Sequence, residues 1–167
     1  MHLHKKIYSF FLLTAVLFSC TKNKGFGPKS DNIPVNLISV SNAADYRPDP
    51  TVSTSIGGGG NIQVVLSLPA NSKRSIKEIT KVAASTSYTK IQSAGTSGFY
   101  TVIPIAGSGA SVTFTTTLAE YFTKFPVSAS NLAAKKDTEL SLRLYFLVTL
   151  DDNSTVVTPG VRILCLE

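Results

Sequence analysis

The chain of 167 residues contains no tryptophan, one methionine, two cysteines and two histidines, and only 16% of it is charged. The histidines, His2 and His4, stand at the extreme start. Past them, no side chain has an unperturbed pKa near neutrality, so hydrolysis or group transfer run by a histidine base is excluded. Cysteine chemistry is equally poor. Cys165 lies in an apolar stretch, Val161–Leu166, where a cysteine acts as a small hydrophobe, and a reactive thiol needs exposure and an activating cation. The acids Asp45, Asp49, Glu78, Glu120, Asp137, Glu139, Asp151 and Asp152 fall mostly in turns and caps. Nothing marks two of them as the pair of carboxylates a glycosidase sets across a cleft. No apolar run reaches the ~20 residues that span a bilayer.

The longest apolar run, Ile7 to Phe18, follows Lys5 and Lys6 and is broken only by Ser9 and Thr14. A positive start and a short apolar core make a signal peptide rather than an anchor. It closes on Leu17-Phe18-Ser19-Cys20, with leucine at −3, a small residue at −1 and cysteine at once after it. This resembles the lipobox of bacterial lipoproteins, which implies cleavage before Cys20 and diacylation of that cysteine. The expected division is a signal peptide over 1–19, a lipidated tether over 20–32, and one domain over 33–167. Thr21 to Asn32 is polar, with Gly25, Gly27 and Pro28, and reads as a flexible linker. With Cys20 lipidated, Cys165 has no partner for an intramolecular disulfide.

A domain of this size buries about two thirds of its unfolded surface and needs no metal or disulfide to hold it. Removing Lys5 and Lys6 lowers the formal charge from +6 to +4. The remaining basic residues are spread out, apart from Lys73-Arg74, Lys77, Lys81 and the pair Lys135-Lys136. They read as solvated faces of an exported chain, and no nucleic-acid partner is expected.

Along the domain the signals are those of strands. Asn36–Val40 is expected to be the first, and Asn42 to Thr54, with Pro48 and Pro50, a loop. Gly57-Gly58-Gly59-Gly60 lacks the Lys-Ser/Thr pair and helix of a phosphate loop and leads into a strand instead. Ile62, Val64, Leu66 and Leu68 alternate with Gln63, Val65 and Ser67, the period of a half-buried strand. Ile76, Ile79 and Val82 are spaced by three, and a bulged strand over Ser75–Ala84 is the expected form. Tyr88–Ile91, Phe99–Ile105 and Ser111–Thr116 are three further expected strands. Thr117-Leu118-Ala119-Glu120 is a capping box in which hydroxyl and carboxylate exchange bonds with the cap amides. Leu118, Tyr121, Phe122 and Phe125 then make one helical stripe that Pro126 ends. Leu140, Leu142, Leu144, Phe146, Val148 and Leu150 alternate onto one face of a long strand. Asp151-Asp152-Asn153-Ser154 turns the chain back through Thr155–Thr158, Pro159-Gly160 and Val161–Leu166. Asp151-Asp152 is too few oxygens for calcium, which takes 6–8, so no metal and no cofactor is expected.

These patterns predict an all-β domain, an antiparallel Ig-like or fibronectin-like β-sandwich with one short helix. With Leu17-Phe18-Ser19-Cys20, the helix Leu118–Phe125 and the closing Leu-Asp-Asp-Asn-Ser hairpin, the chain resembles the Ig-like envelope lipoproteins common in Bacteroidota. The resemblance implies a non-catalytic protein of the cell envelope, anchored in the outer membrane through Cys20, that binds or assembles with an envelope partner. A glycan-binding accessory of a polysaccharide-uptake system is the alternative. Thr21-Lys22-Asn23-Lys24 stands where surface-exported members carry acidic residues, and both faces of the membrane stay open. For a glycan, the available rings near loops are Tyr46, Tyr88 and Tyr100.

Overall fold

In a computed structural model, the described residues are 38–46, 49–125 and 135–167. The leader, Cys20, the tether and the first residues of the expected first strand lie outside them. The described residues are mostly β, in mostly antiparallel sheets. Among them no helix is long and apolar enough to cross a membrane.

The first sheet joins β1 (Ser39–Val40), β3 (Asn61–Ser67) and β6 (Ser111–Thr117) in the order β1-β3-β6. β3 and β6 run antiparallel in unbroken register from Asn61 opposite Thr117 to Ser67 opposite Ser111. The alternation seen in sequence is the alternation of burial: Ile62, Val64 and Leu66 are buried, while Asn61 and Gln63 are exposed. Val112, Phe114 and Thr116 do the same on β6.

The other sheets are built on the last hairpin. β4 (Ile76–Ser85), β8 (Arg143–Leu150) and β9 (Thr155–Val157) form one with the short β5 (Ile105–Ala106), in the order β5-β4-β8-β9. β2 (Thr51–Ser55), β10 (Arg162–Leu166) and β7 (Thr138–Glu139) form another, in the order β2-β10-β7. A bridge between Leu144 and Val161 and the bond from the Leu140 amide to the Ile163 carbonyl, 2.9 Å, link the two. Residues 138–150 and 154–165 are therefore one long hairpin. Its turn places Asn153 at φ 65°, as the Asp-Asp-Asn-Ser stretch suggests. Arg74 clamps that turn from the β3–β4 connection, pairing with Asp151 at 2.5 Å and with Asp152. The guanidinium holds the Asp152 carboxyl well below the usual carboxylate range and lowers that of Asp151 as well.

One hydrophobic cluster draws on all three sheets, from Val64 and Phe114 through Ile79 and Phe146 to Val52 and Ile163. β4 shows why its apolar residues are spaced by three. Register shifts between Ile76 and Glu78 and between Ile79 and Lys81 each insert a residue, so Ile76, Ile79 and Val82 all reach the core.

Several expectations are corrected. The pairing is not antiparallel throughout: β10 runs parallel to β2, from Arg162 beside Thr51 to Leu166 beside Ser55. β2 itself falls where a loop was expected, because Pro50 precedes the strand and leaves its ladder intact. Tyr88–Ile91 is not a strand. α1 (Thr89–Gln92) is a single helical turn that buries Ile91 against Ala83 and Tyr145, covering the far face of the β4–β8 pair. Two short helices are therefore present among the described residues where one was expected. The second is α2 (Leu118–Lys124). Half of its capping box forms: the Glu120 amide donates to Thr117 Oγ1 at 3.1 Å. The Glu120 carboxylate instead accepts from the Thr116 hydroxyl at 2.9 Å. Phe99–Ile105 yields only an isolated bridge at Thr101 and the start of β5.

Candidate functional site

The three tyrosines read as candidate sugar platforms fall in different surroundings. Tyr100 is 2% exposed. Its ring packs edge-on against Phe114 at 5.7 Å and stacks on Phe125 at 5.8 Å, and its hydroxyl bonds to that of Thr116. Tyr121 and Phe125 of the α2 stripe pack against it, so Tyr100 is a core residue and not a platform. Tyr46 is exposed, with its hydroxyl donating to the Val40 carbonyl. Tyr88 is 56% exposed and lines a cavity of which Tyr46 is not part.

Burial also sets the chemistry of the core phenols. Desolvation pushes the Tyr100 hydroxyl up to about 12 and raises that of Tyr121. The folded pKa lies above the unfolded value of about 10. The stability tied to the neutral phenol is thus complete below pH ~10 and is lost as pH rises through the folded value of about 12. Denaturant melts recorded across that window are expected to show a falling midpoint, with a shallower fall in Tyr100→Phe. An identical slope in the variant would contradict the assignment.

The cavity holding Tyr88 is an open cleft of about 430 Å³. That lies within the 300–1,000 Å³ range of small-molecule sites. Its residues come from four places in the chain. Tyr88 caps α1 and Gln92 ends it, so the two stand one helical turn apart, both exposed beside the buried Ile91. Arg143 and Tyr145 share one face of β8, at the two-residue spacing of a strand. Asp49 comes from the stretch before β2 and ion-pairs with Arg143 at 2.7 Å. Thr158, Pro159 and Gly160 form the break between β9 and β10.

Gly160 is there for a steric reason. A Cβ at this position would lie 2.9 Å from the Tyr145 ring, so only glycine lets the backbone pass that close. Tyr145 is itself 6% exposed and is held in the cluster with Ala83 and Ile91. The cleft thus has a buried base in Tyr145 under a more exposed rim of Tyr88, Gln92 and Arg143. Sequence reasoning named Tyr88 but missed Asp49, Gln92 and Arg143. Asp49 was dismissed as a loop acid, and no local pattern connects it to Arg143.

Among the described residues no group of three or more His, Cys, Asp and Glu side chains gathers to hold a metal ion. Cys165 is a free thiol buried in the core, and that burial pushes its pKa up. Lys81 and Lys90 both lie over the Phe99 ring, at 4.6 Å and 4.9 Å from its centroid. These cations tie the loop after α1 to β4. Comparison with known proteins found no matching family model, no similar curated protein and no similar solved structure.

Proposed function

We propose that the chain is a non-catalytic lipoprotein of the cell envelope, anchored through Cys20, whose immunoglobulin-like β-sandwich serves as a binding or assembly module. The observation that carries the reading is the stretch Leu17-Phe18-Ser19-Cys20 at the end of a short apolar run behind Lys5 and Lys6. The sheet arrangement supports the sandwich. β1-β3-β6 makes one layer, and β2, β10, β8, β4 and β5 succeed one another across the second, with both feeding one core. Such a domain offers loops at its ends and open edges along its sides, and both can bind another molecule.

A single acyl chain holds a protein at a bilayer only marginally, while two anchor it stably. A diacylated Cys20 meets that requirement without any membrane-spanning segment. A tether from Thr21 to Asn32 reaches at most ~40 Å when extended, and about 20 Å as a coil. It would keep the domain near the membrane, with Lys22, Lys24 and Lys29 beside anionic head groups in weak, salt-sensitive attraction.

Radioactive palmitate labelling of cells that express wild type or Cys20→Ser, followed by fractionation, tests this. Wild type is expected to label and to pellet with membranes, and Cys20→Ser to lose the label entirely. A labelled Cys20→Ser protein, or an unlabelled wild type free in the periplasm, would refute the reading.

A further inference from the structure

We propose that the cleft between α1, β8 and the β9–β10 break is a binding site for an uncharged saccharide unit, with Tyr88 as the ring on which it stacks. This deepens the reading of the domain as a binding module and rests on it. Three features of the cleft converge on a neutral polyhydroxylated ring.

The first is the aromatic surface. Tyr88 is 56% exposed and lines a concave site, so its ring is available to a ligand there. The face of an aromatic ring is electron-rich and favours the polarised C–H groups of a pyranose. Ile91, buried against Ala83 and Tyr145, fixes the turn that carries Tyr88.

The second is the polar set. Asp49 and Arg143 are the charged side chains that line the cleft, and they face each other at 2.7 Å. Their charges cancel, which removes the attraction a site for a carboxylate or phosphate would need. Both stay accessible at the rim, Arg143 at 42% and Asp49 at 25% side-chain exposure. The ion pair joins Arg143 Nη1 to Asp49 Oδ2, two of the polar atoms these side chains carry. Further N–H donors and acceptor lone pairs remain beside one another. Neighbouring hydroxyls of a sugar, each both donor and acceptor, match such a pair. The Gln92 carboxamide, one turn from Tyr88, adds a donor and an acceptor of the same neutral kind.

The third is the shape. The cleft is open rather than enclosed, with its base fixed by Tyr145 against Gly160. An open site admits an internal unit of a longer chain, with neighbouring units running out over the rim.

The test uses the full chain purified from membranes in detergent. Calorimetric titration is run with cellohexaose, maltohexaose, mannohexaose, xylohexaose and β-1,4-galactohexaose as neutral probes, and with an oligogalacturonate as the anionic one. At least one neutral probe is expected to bind, with a Kd below about 1 mM. Its affinity should fall about tenfold or more in Tyr88→Ala and in Arg143→Met. Tyr46→Ala, at an exposed ring outside the cleft, should leave it unchanged. Gln92→Ala, on the exposed side of α1, provides a second cleft variant should Tyr88→Ala fail to fold. The proposal is overturned if no neutral probe binds, if only the oligogalacturonate binds, or if binding survives the cleft variants. None of those results touches the palmitate label on Cys20. An anchored protein that binds no sugar loses this inference alone, whereas an unlabelled one loses the reading beneath it.

Discussion

Phe146→Ala is expected to destabilise the domain by about 3–5 kcal/mol. Phe146 is fully buried at the middle of β8. Its ring meets that of Phe114 edge-on at 5.4 Å, so one side chain connects the β1-β3-β6 sheet to the hairpin. Truncation removes the apolar contact from both sides and leaves a cavity between the two sheets' side chains that cannot close without moving strands. Leu144→Ala, also fully buried on the same face, should cost about 2–5 kcal/mol by the same mechanism. Thr155→Ala, exposed at the start of β9, should stay within about 0.5 kcal/mol. Chemical denaturation of the three variants checks the ranking. Equal midpoint shifts for Phe146→Ala and Thr155→Ala would remove the hairpin from the centre of the core.

Gly107→Ala is the second substitution with a large expected effect, and it works by crowding rather than by loss. A Cβ on Gly107 would fall 2.1 Å from the carbonyl oxygen of Ile76 and 2.9 Å from that side chain's Cγ2. The obstacle is backbone at the first residue of β4, not the end of a flexible side chain. The Gly107 amide also donates to the Lys77 carbonyl at 2.8 Å, which pins the two segments together. Adding one methyl group must therefore separate the β5–β6 connection from β4 or bend the start of β4 out of its ladder. Overpacking of this kind costs about 1–3 kcal/mol and occasionally more. Gly95→Ala is the control, since nothing lies within 4 Å of a Cβ built there, although its φ of +100° adds local strain. A Gly107→Ala chain that melts with wild type would show that the connection does not pack as closely as described.

How far the sequence announced this fold depends on how local each signal was. β3 and β8 were legible because a half-buried strand writes its burial directly into a period of two. β4 was readable only by allowing for bulges, since its two inserted residues turn that period into three. α1 was missed because Tyr88, Thr89 and Ile91 favour strands and a single turn is too short to display a helical period. The same turn hid the second apolar cluster, and with it the reason Tyr145 is buried on the face opposite Phe146. β2 was missed because Thr51, Ser53, Thr54 and Ser55 look like loop residues until Val52 is seen against β10. Its parallel partner stands at the other end of the chain, a distance over which no periodicity carries information. The cleft follows the same rule. Tyr88 could be named as a ring near a loop, whereas the Asp49–Arg143 pair exists only once β2 and β8 are brought to one side of the domain.

Strands that lie parallel carry tension differently from the arms of a hairpin. When a hairpin is pulled at its two open ends, its hydrogen bonds break one at a time, like a zipper. β2 and β10 run in the same direction over five paired residues. Tension applied before Thr51 and after Leu166 therefore pulls the two strands past each other along their length. Every cross-strand bond between them is then loaded at once, and all must yield together. The two-residue strand β1 can peel from β3 under such a load while the β2–β10 pair still grips. A domain stretched along that line is thus clamped by the β2–β10 pair, and it resists force through shear rather than through the depth of its core.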